Sequence, residues 1–371
     1  MNDTTLVLLG AGSSTRFGLK TKKQWLYTGN DPLWYFVTKQ FKRYDFKEII
    51  IVSSHEDINY MKKFDTFVFV EGGASRQESL KNALLNVSTK YVLVSDIARC
   101  CIDDKMIHRI IENKEKAHCI VPALSVSDTL YIDGLPANRE NAKLIQTPQL
   151  SETELLLKAI QTDEIFTDDS SAMYKNGNKI LFVEGSQNAH KLTFADDIKK
   201  LTCLNPPSTK TFVGFGIDTH PFEENKPMYL CGEVVENSFG FKAHSDGDVA
   251  IHAIIDALLG AAGLGDIGEF FPDTDEKYKG IDSKELLKIC VDKINSYGFA
   301  INNIDITILA EIPKISPHKE KMRRTLSQIL EIDQRSINIK ATTSEKLGFI
   351  GRCEGASVHA VATLCYFNWM E

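Results

Sequence analysis

No stretch of this chain reaches 18 uninterrupted apolar residues, and no basic segment followed by a long apolar core stands in its first residues, MNDTTLVLLGAGSSTRFG. A simple membrane-spanning helix is thereby excluded, and no export signal is expected. Cysteines at C-x-x-C spacing are missing as well: the eight stand at 100, 101, 119, 203, 231, 290, 353 and 365. That pattern offers no thiol site built on local spacing. A chain of 371 residues, 43% of them hydrophobic, has enough core material to fold without disulfide staples. Reduced thiols and a cytoplasmic location are therefore expected. Positive charge is also in short supply, with 43 Lys and Arg against 50 Asp and Glu and a net charge of -7. This balance disfavours nucleic-acid or anionic-membrane partners. The basic stretch PHKEKMRRTLSQ (317–328) has no interleaved aromatic residues and reads as a solvated helix face. Internal repeats and low-complexity tracts are absent too.

What is present falls into two rhythms. Short apolar runs recur early: TLVLLG (5–10), EIIIVSS (48–54), TFVFVE (66–71), YVLVSD (91–96) and HCIVPAL (118–124), separated by amphipathic stretches such as PLWYFVTKQFKRY and RQESLKNALLNV. The alternation predicts a parallel α/β sheet, whose ligands bind beyond the carboxyl ends of its strands. Three polar tails fall there: GAGSSTR, EGGASRQ and SDIAR. A proline pair in TCLNPPSTKTF (202–212) marks a linker, giving domains over 1–205 and 211–371 joined by 206–210. Beyond it, the strands TFVGFGI, INNIDITILAE, SINIKATTS and GASVHAVATLCYF alternate irregularly with helices at DGDVAIHAIIDALLGAAG, SKELLKICVDKINSYG and PHKEKMRRTLSQILE. This predicts an α+β layer of three or four strands with helices on one face.

The first chemical feature is the small-residue loop in LVLLGAGSSTRFGLKTKKQWL. Gly10, Ala11, Gly12 and Ser13 let backbone N–H groups approach a ligand, and such nests favour phosphate oxygens. Arg16, Lys22 and Lys23 add positive charge. The loop is neither a G-x-x-x-x-G-K-[ST] nor a G-x-G-x-x-G motif, so the residues alone leave open a phosphate cradle or a glycine turn beside solvated cations.

Together with EGGASRQESL, VSDIARC, VSDTL, QTPQL and KLTFADDI, this loop resembles the cytidylyltransferases that join CTP to 2-C-methyl-D-erythritol 4-phosphate, over residues 1 to about 205. The resemblance implies a Rossmann-like nucleotidyltransferase fold in which the loop from Gly10 to Arg16 wraps the CTP phosphates. Gly72, Gly73 and Ser79 then lie nearer the cytosine and ribose. Arg16 and Lys23 become catalytic cations as pyrophosphate leaves, joined by Lys191, and Asp96 stands near magnesium and substrate. Thr129, Arg139, Thr147 and Lys191 match positions that hold the methylerythritol phosphate, Arg139 reaching in from a partner subunit of a dimer. The segment from Thr129 to Arg139 is shorter than the family's dimerising arm.

The second feature is GFGIDTHPF (214–222), in which Asp218 and His220 leave one face of a strand. His252 stands on a predicted helix with Asp248 and Asp256 four residues to either side, on one helix face. Two histidines and a carboxylate suit a zinc site with an open position; a polar strand end and a structural histidine fit the same residues. Asp248 and Asp256 either orient His252 or form surface salt bridges. With AHSDGDVAIHAIIDALLGAAGLGDIGEFFPDTD, AEIPKISPH and KATTSEKLGFIGRCEG, the segment 211–371 looks like the 2-C-methyl-D-erythritol 2,4-cyclodiphosphate synthases.

That likeness implies Zn²⁺, or another divalent ion, on Asp218, His220 and His252, and Glu345 helping to hold Mg²⁺ or Mn²⁺ on the substrate phosphates. His244, Ser245, Asp266, Gly268 and Asp273 surround the methylerythritol unit, while Lys314, Thr342, Thr343, Phe349 and Arg352 line the nucleotide side. Members of that family are trimers with sites between subunits, so dimeric and trimeric halves imply a hexamer or larger assembly. The two implied reactions are separated by a phosphorylation, which makes the intervening kinase a candidate partner. Two other readings use the same residues: a transferase for another sugar phosphate followed by a zinc phosphohydrolase, and a scaffold that binds nucleotide without turnover.

Overall fold

The computed structural model describes residues 1–243, 245–272, 275–278 and 280–371. They form two compact units, Met1–Pro206 and Pro207–Glu371. Among the described residues no helix is long and apolar enough to cross a membrane.

In the first unit, β1 (Thr4–Leu9), β2 (Glu48–Ser53), β3 (Val68–Glu71) and β4 (Tyr91–Asp96) alternate with α1 (Leu33–Lys42), α2 (His55–Met61) and α3 (Arg76–Leu84). They pair in parallel in the order β4-β1-β2-β3. Their continuous apolar runs are what burial on both faces of such a sheet demands, and Leu6, Val7, Leu8, Ile50, Ile51, Val92 and Val94 are fully buried. Each such side chain contributes roughly 1.5–3 kcal/mol relative to exposure. After α4 (Asp104–Glu112) and β5 (Cys119–Ser125) the chain makes a small hairpin of β6 (Leu130–Ile132) and β7 (Leu135–Ala137). Its turn is Asp133-Gly134, both at positive φ, as a two-residue hairpin loop requires.

The remaining elements are β8 (Lys143–Ile145), β9 (Gln149–Glu152), α5 (Thr153–Ala159), α6 (Asp169–Lys175) and β10 (Ile180–Glu184). Here the sheet departs from the parallel expectation. β9 inserts antiparallel between β4 and β5, and β8 runs antiparallel on β5. The four-residue QLSE carries no apolar run; its neighbours, rather than its own composition, make it a strand.

A second departure concerns the thiols. Cys101 and Cys203 form a disulfide, with Cα atoms 5.4 Å apart. A sequence separation of 102 hides the pair from any reading of local spacing. The chain brings them together because the segment after β10 returns past the tail of β4, where the Leu192 N–H donates to the Ala98 carbonyl at 2.8 Å.

In the second unit, β11 (Thr211–Glu224), β12 (Phe239–Phe241), β13 (Phe299–Leu309), β14 (Ile337–Thr342) and β15 (Gly355–Tyr366) form one sheet in the order β12-β11-β15-β13-β14. The fifth strand beyond the expected four is the short edge β12. The helices α7 (Val249–Ala262), α9 (Ser283–Ser296) and α10 (Lys319–Leu330) pack on one face, with the one-turn α8 (Ile267–Phe270) between the first two and α11 (Gly348–Gly351) before β15.

α7 lies directly on Gly214 and Gly216 of β11. A Cβ at Gly214 would sit 1.9 Å from the Ala257 carbonyl oxygen, and one at Gly216 2.1 Å from that of Ala253. Only glycine admits this approach. The alternate residues Val213, Phe215 and Ile217 point to the opposite face and are at least half exposed.

Two candidate active sites

Three backbone hydrogen bonds draw the polar tails of the first sheet together. Gly10 N–H donates to Val52 O (2.8 Å), Gly72 N–H to Ser53 O (2.9 Å) and Ile97 N–H to Leu9 O (3.1 Å). Beyond the strand ends they enclose a cavity of about 450 Å³, lined by Gly10, Ala11, Gly12, Ser13, Arg16, Lys23, Gly73, Ser79, Asp96 and Lys191. Gly72 lies just behind that wall, where a Cβ would meet Ala11 Cβ at 2.4 Å. The Ser79 hydroxyl accepts from Gly73 N–H (3.0 Å). Ser14, at φ 59°, accepts the Lys23 N–H (3.2 Å) and so fastens the loop to the segment carrying that lysine. Lys22 is not among the lining residues: its ammonium pairs with the buried carboxylate of Asp57 at 3.0 Å.

The charge arrangement is specific. Lys191 Nζ donates to Asp96 Oδ2 (2.5 Å). Arg76 approaches the other oxygen of Asp96 at 3.5 Å and pairs with buried Asp169 at 2.6 Å. Burial opposes ionisation of Asp96, but Arg76, Lys191 and Arg99 outweigh it and hold the carboxyl below its ordinary range. Burial, then repulsion from Lys191 and Arg16, depresses the Lys23 ammonium. A cavity whose cations destabilise one another is poised for a polyanion.

Arg76, Arg99 and Asp169 escaped the sequence reading; the R in EGGASRQ and the R in SDIAR were the available signals. Arg99 Nε donates to the Thr147 hydroxyl (3.1 Å), which places that buried threonine one side chain away from the loop of Asp96. Thr129 and Arg139 are exposed, near the hairpin, where the Arg139 guanidinium donates to the Ser127 carbonyl. Neither lines the cavity of its own chain.

In the second unit, α7 sets His252 against the end of β11. Asp218 Oδ2 lies 2.9 Å from His220 Nε2 and 3.1 Å from His252 Nδ1. Burial opposes ionisation of Asp218, yet the adjoining His220 and His252 rings hold its carboxyl well below the usual range. The three donor atoms lie within 4.8 Å of one another. Two imidazoles and a carboxylate on one point fit a divalent ion of the zinc type. Among the described residues the only other such group of three is Cys100, Cys101 and Cys203, two of whose sulfurs are taken by the disulfide.

The acids flanking His252 do not orient its ring. Asp248 caps α7 from a fully buried position, its carboxylate accepting N–H groups of Cys231 (2.9 Å), Gly232 (2.6 Å) and Ile251 (3.0 Å). Asp256 accepts the Ile267 N–H (2.8 Å). A helix N-terminus and a following turn each need an acceptor, and that demand takes both acids.

Ser245 and Gly268 line the cavity around the triad; Asp266 caps α8 beside them, accepting the Glu269 N–H (2.9 Å). His244 and Asp273 lie outside the described residues. Lys314, Thr342, Thr343, Glu345, Phe349 and Arg352 do not line this cavity. They are exposed on neighbouring segments, where AEIPKIS and KATTSEK meet: Ala310 N–H donates to Thr342 O (3.1 Å) and Ser344 N–H to the Glu311 carboxylate (3.1 Å). The Glu345 carboxylate accepts from the Thr343 hydroxyl (2.9 Å), and Arg352 pairs with Glu354 (2.8 Å).

Comparison with known proteins adds to this geometry. Residues 4–203 match the family model described as 2-C-methyl-D-erythritol 4-phosphate cytidylyltransferase, and residues 211–365 match that of the YgbB family. The chain is 58% identical over 372 residues to the "Bifunctional enzyme IspD/IspF" of Sulfurovum sp. (strain NBC37-1), covering all of both chains. It is 53% identical over 373 residues to the protein of the same name from Campylobacter concisus (strain 13826), again over the whole of both. A solved structure described as "Structure of the Bifunctional IspDF from Campylobacter jejuni" superposes with a TM-score of 0.95 at 50% identity over 100% of each chain.

Proposed function

Since the chain belongs to the bifunctional IspD/IspF family of isoprenoid biosynthesis, a cytidylyltransferase joined to a cyclodiphosphate synthase, we propose how its own residues divide the two reactions. The first, assigned to residues 1–205, converts CTP and 2-C-methyl-D-erythritol 4-phosphate to 4-diphosphocytidyl-2-C-methyl-D-erythritol and diphosphate. The second, assigned to 211–371, closes 4-diphosphocytidyl-2-C-methyl-D-erythritol 2-phosphate to the 2,4-cyclodiphosphate and releases CMP.

The observation that carries the first assignment is the convergence of Arg16, Lys23 and Lys191 on the loop of Gly10, Ala11, Gly12 and Ser13 in one cavity. Nucleotidyl transfer requires positioning and neutralisation of phosphate charge, with no protein nucleophile. Arg16 and Lys23 neutralise the triphosphate as the methylerythritol phosphate attacks the α-phosphorus and diphosphate departs. Lys191 and Asp96 position the attacking phosphate, and Asp96 would help hold a Mg²⁺ that neutralises phosphate charge. Ser79, Gly72 and Gly73 take the nucleoside, and Thr147 sits behind Arg99 toward the acceptor. Thr129 and Arg139 complete the acceptor site of a second copy, a reading supported by the exposed apolar residues Tyr131, Ile132 and Leu135 on the hairpin that separates them.

For the second reaction, Asp218, His220 and His252 would hold a divalent ion. Such an ion supplies Lewis acidity to a phosphate oxygen. Ser245, Asp266 and Gly268 line the methylerythritol side. The surface of Lys314, Thr342, Thr343, Glu345, Phe349 and Arg352 receives the cytidine diphosphate of a neighbouring copy. Holding both phosphates of one substrate makes the attack intramolecular. Trimeric synthase halves and dimeric transferase halves, closing as a hexamer in the cytoplasm, belong to the same proposal. The exposed sheet residues Val213, Phe215 and Ile217 support the trimer. The product of the first step lacks the 2-phosphate that the second requires, so a kinase acts between them and is the partner we would seek by co-purification.

The test measures diphosphate released from CTP and methylerythritol phosphate with Mg²⁺, and CMP released from the phosphorylated intermediate. Arg16→Ala should abolish the first and spare the second; His220→Gln should do the reverse. Loss of both in either variant would overturn the division of labour.

A further inference from the structure

Resting on the metal reading of Asp218, His220 and His252, we propose that Ser283 and Asp246 form a positioning relay that holds the proton of His252 on Nε2 and turns its Nδ1 lone pair to the ion. Neither residue carries a sequence signal of its own. They are joined by tertiary structure: Asp246 precedes α7, Ser283 opens α9, and 37 positions separate them.

Proton accounting fixes the direction of the relay. The Asp246 carboxylate accepts three donors: Asp248 N–H (3.1 Å), Ser283 N–H (3.1 Å) and the Ser283 hydroxyl (2.5 Å). A hydroxyl has one proton and an ionised carboxylate has none to give. The Ser283 proton is therefore committed to Asp246, in a charge-assisted bond of the stronger kind. Toward His252 Nε2, 3.0 Å away, Ser283 can offer only a lone pair. The ring must donate there.

With an ion bound the imidazole is neutral and has a single N–H, so a proton on Nε2 leaves the Nδ1 lone pair, 3.1 Å from Asp218 Oδ2, to that ion. Two acceptors at that distance repel unless a cation lies between them. The Ser245 hydroxyl is 3.3 Å from the same Nε2 and accepts the Gly247 N–H. Its own proton is free to turn either way, so Ser245 tolerates both tautomers while Ser283 selects one. Ser283 is fully buried, so water does not compete for this bond. His220 has no such partner: its Nδ1 is buried without a hydrogen bond among the described residues. The relay thus belongs to His252 alone, the ligand that the helix delivers across the strand.

The experiment uses the full chain and two readouts. Zinc affinity is measured by competition with a chromogenic chelator for wild type, Ser283→Ala, Ser283→Thr and Asp246→Asn. Loss of a partner that orients a metal-bound histidine weakens binding by about 10–100-fold, the loss expected for Ser283→Ala. Ser283→Thr retains the hydroxyl and should bind close to wild type; Asp246→Asn should fall between. Circular dichroism and the urea unfolding of the second unit, unchanged in all four proteins, verify its folding. The second readout is the nitrogen NMR of histidine-labelled, zinc-loaded protein, where the His252 Nε2–H should be protected from exchange with water in wild type and should exchange freely in Ser283→Ala. Wild-type affinity in Ser283→Ala, or a freely exchanging Nε2–H in wild type, overturns the relay. Failure of the wild-type protein to bind zinc at all overturns the metal reading beneath it.

Discussion

Lys191 and Asp96 are joined at 2.5 Å across 95 positions of sequence, in the lining of the first cavity. The pair couples the tail of a central strand to a segment that follows the whole sheet. Lys191→Met would leave Asp96 beside Arg76 with one cation fewer. Transferase kcat/KM should fall by about 100-fold or more, the usual cost of one electrostatic contact to a reacting phosphate or oxyanion. CMP release should be unchanged, and parallel assays on one preparation check both.

Lys23 gives a pH signature. Burial and the neighbouring Lys191 and Arg16 depress its ammonium, and a bound triphosphate would raise it again. Between the free and bound values, binding must take up a proton. CTP affinity should therefore decline as pH rises through the alkaline range, and calorimetry in buffers of different ionisation enthalpy should register proton uptake. Lys23→Met should remove both effects.

Metal removal should separate the halves. Dialysis against a zinc-selective chelator with Mg²⁺ in excess is expected to abolish CMP release and leave diphosphate release intact. Zn²⁺ restores the former in wild type and fails to in His252→Gln, whose metal content by elemental analysis should be correspondingly low.

The Cys101–Cys203 bond closes a loop of 102 positions in the first unit. Chain entropy assigns such a closure on the order of 4–5 kcal/mol. Reductant should lower the urea midpoint of wild type to that of Cys203→Ser, and leave the variant where it was. Thiol titration before and after reduction counts the bond directly.

Gly216→Ala places a methyl group 2.1 Å from the Ala253 carbonyl oxygen, on the contact that carries His252 to Asp218. The second unit should lose about 1–3 kcal/mol, the ordinary cost of overpacking. Zinc affinity should fall with it, since α7 must move away from β11. Denaturation and chelator competition read the two effects separately.

Much of this protein is determined locally. Apolar runs of four to seven residues, glycine tails after strands, the proline pair near 206 and the spacing of Asp218 and His220 are all short-range patterns. Period-two and period-3.6 burial write them into adjacent residues, and from them come the two units, the glycine loop and two of the three side chains of the Asp218, His220 and His252 group. Other features depend on which segments the fold makes neighbours. QLSE is a strand only because β4 and β5 flank it, and Cys101 finds Cys203 only because the chain returns past β4.

The same division runs through the sites. Asp248 and Asp256 sit at the right spacing to serve His252, yet the backbone N–H groups of Gly232, Ile251 and Ile267 take them as acceptors, since a buried amide left unpaired costs about 1–3 kcal/mol. The task falls to Ser283, which no spacing relates to His252. Sequence fixes which side chains are present and which face of an element they leave; tertiary packing decides which proton each acceptor receives, since hydrogen bonds reach only about 3 Å and are satisfied in space.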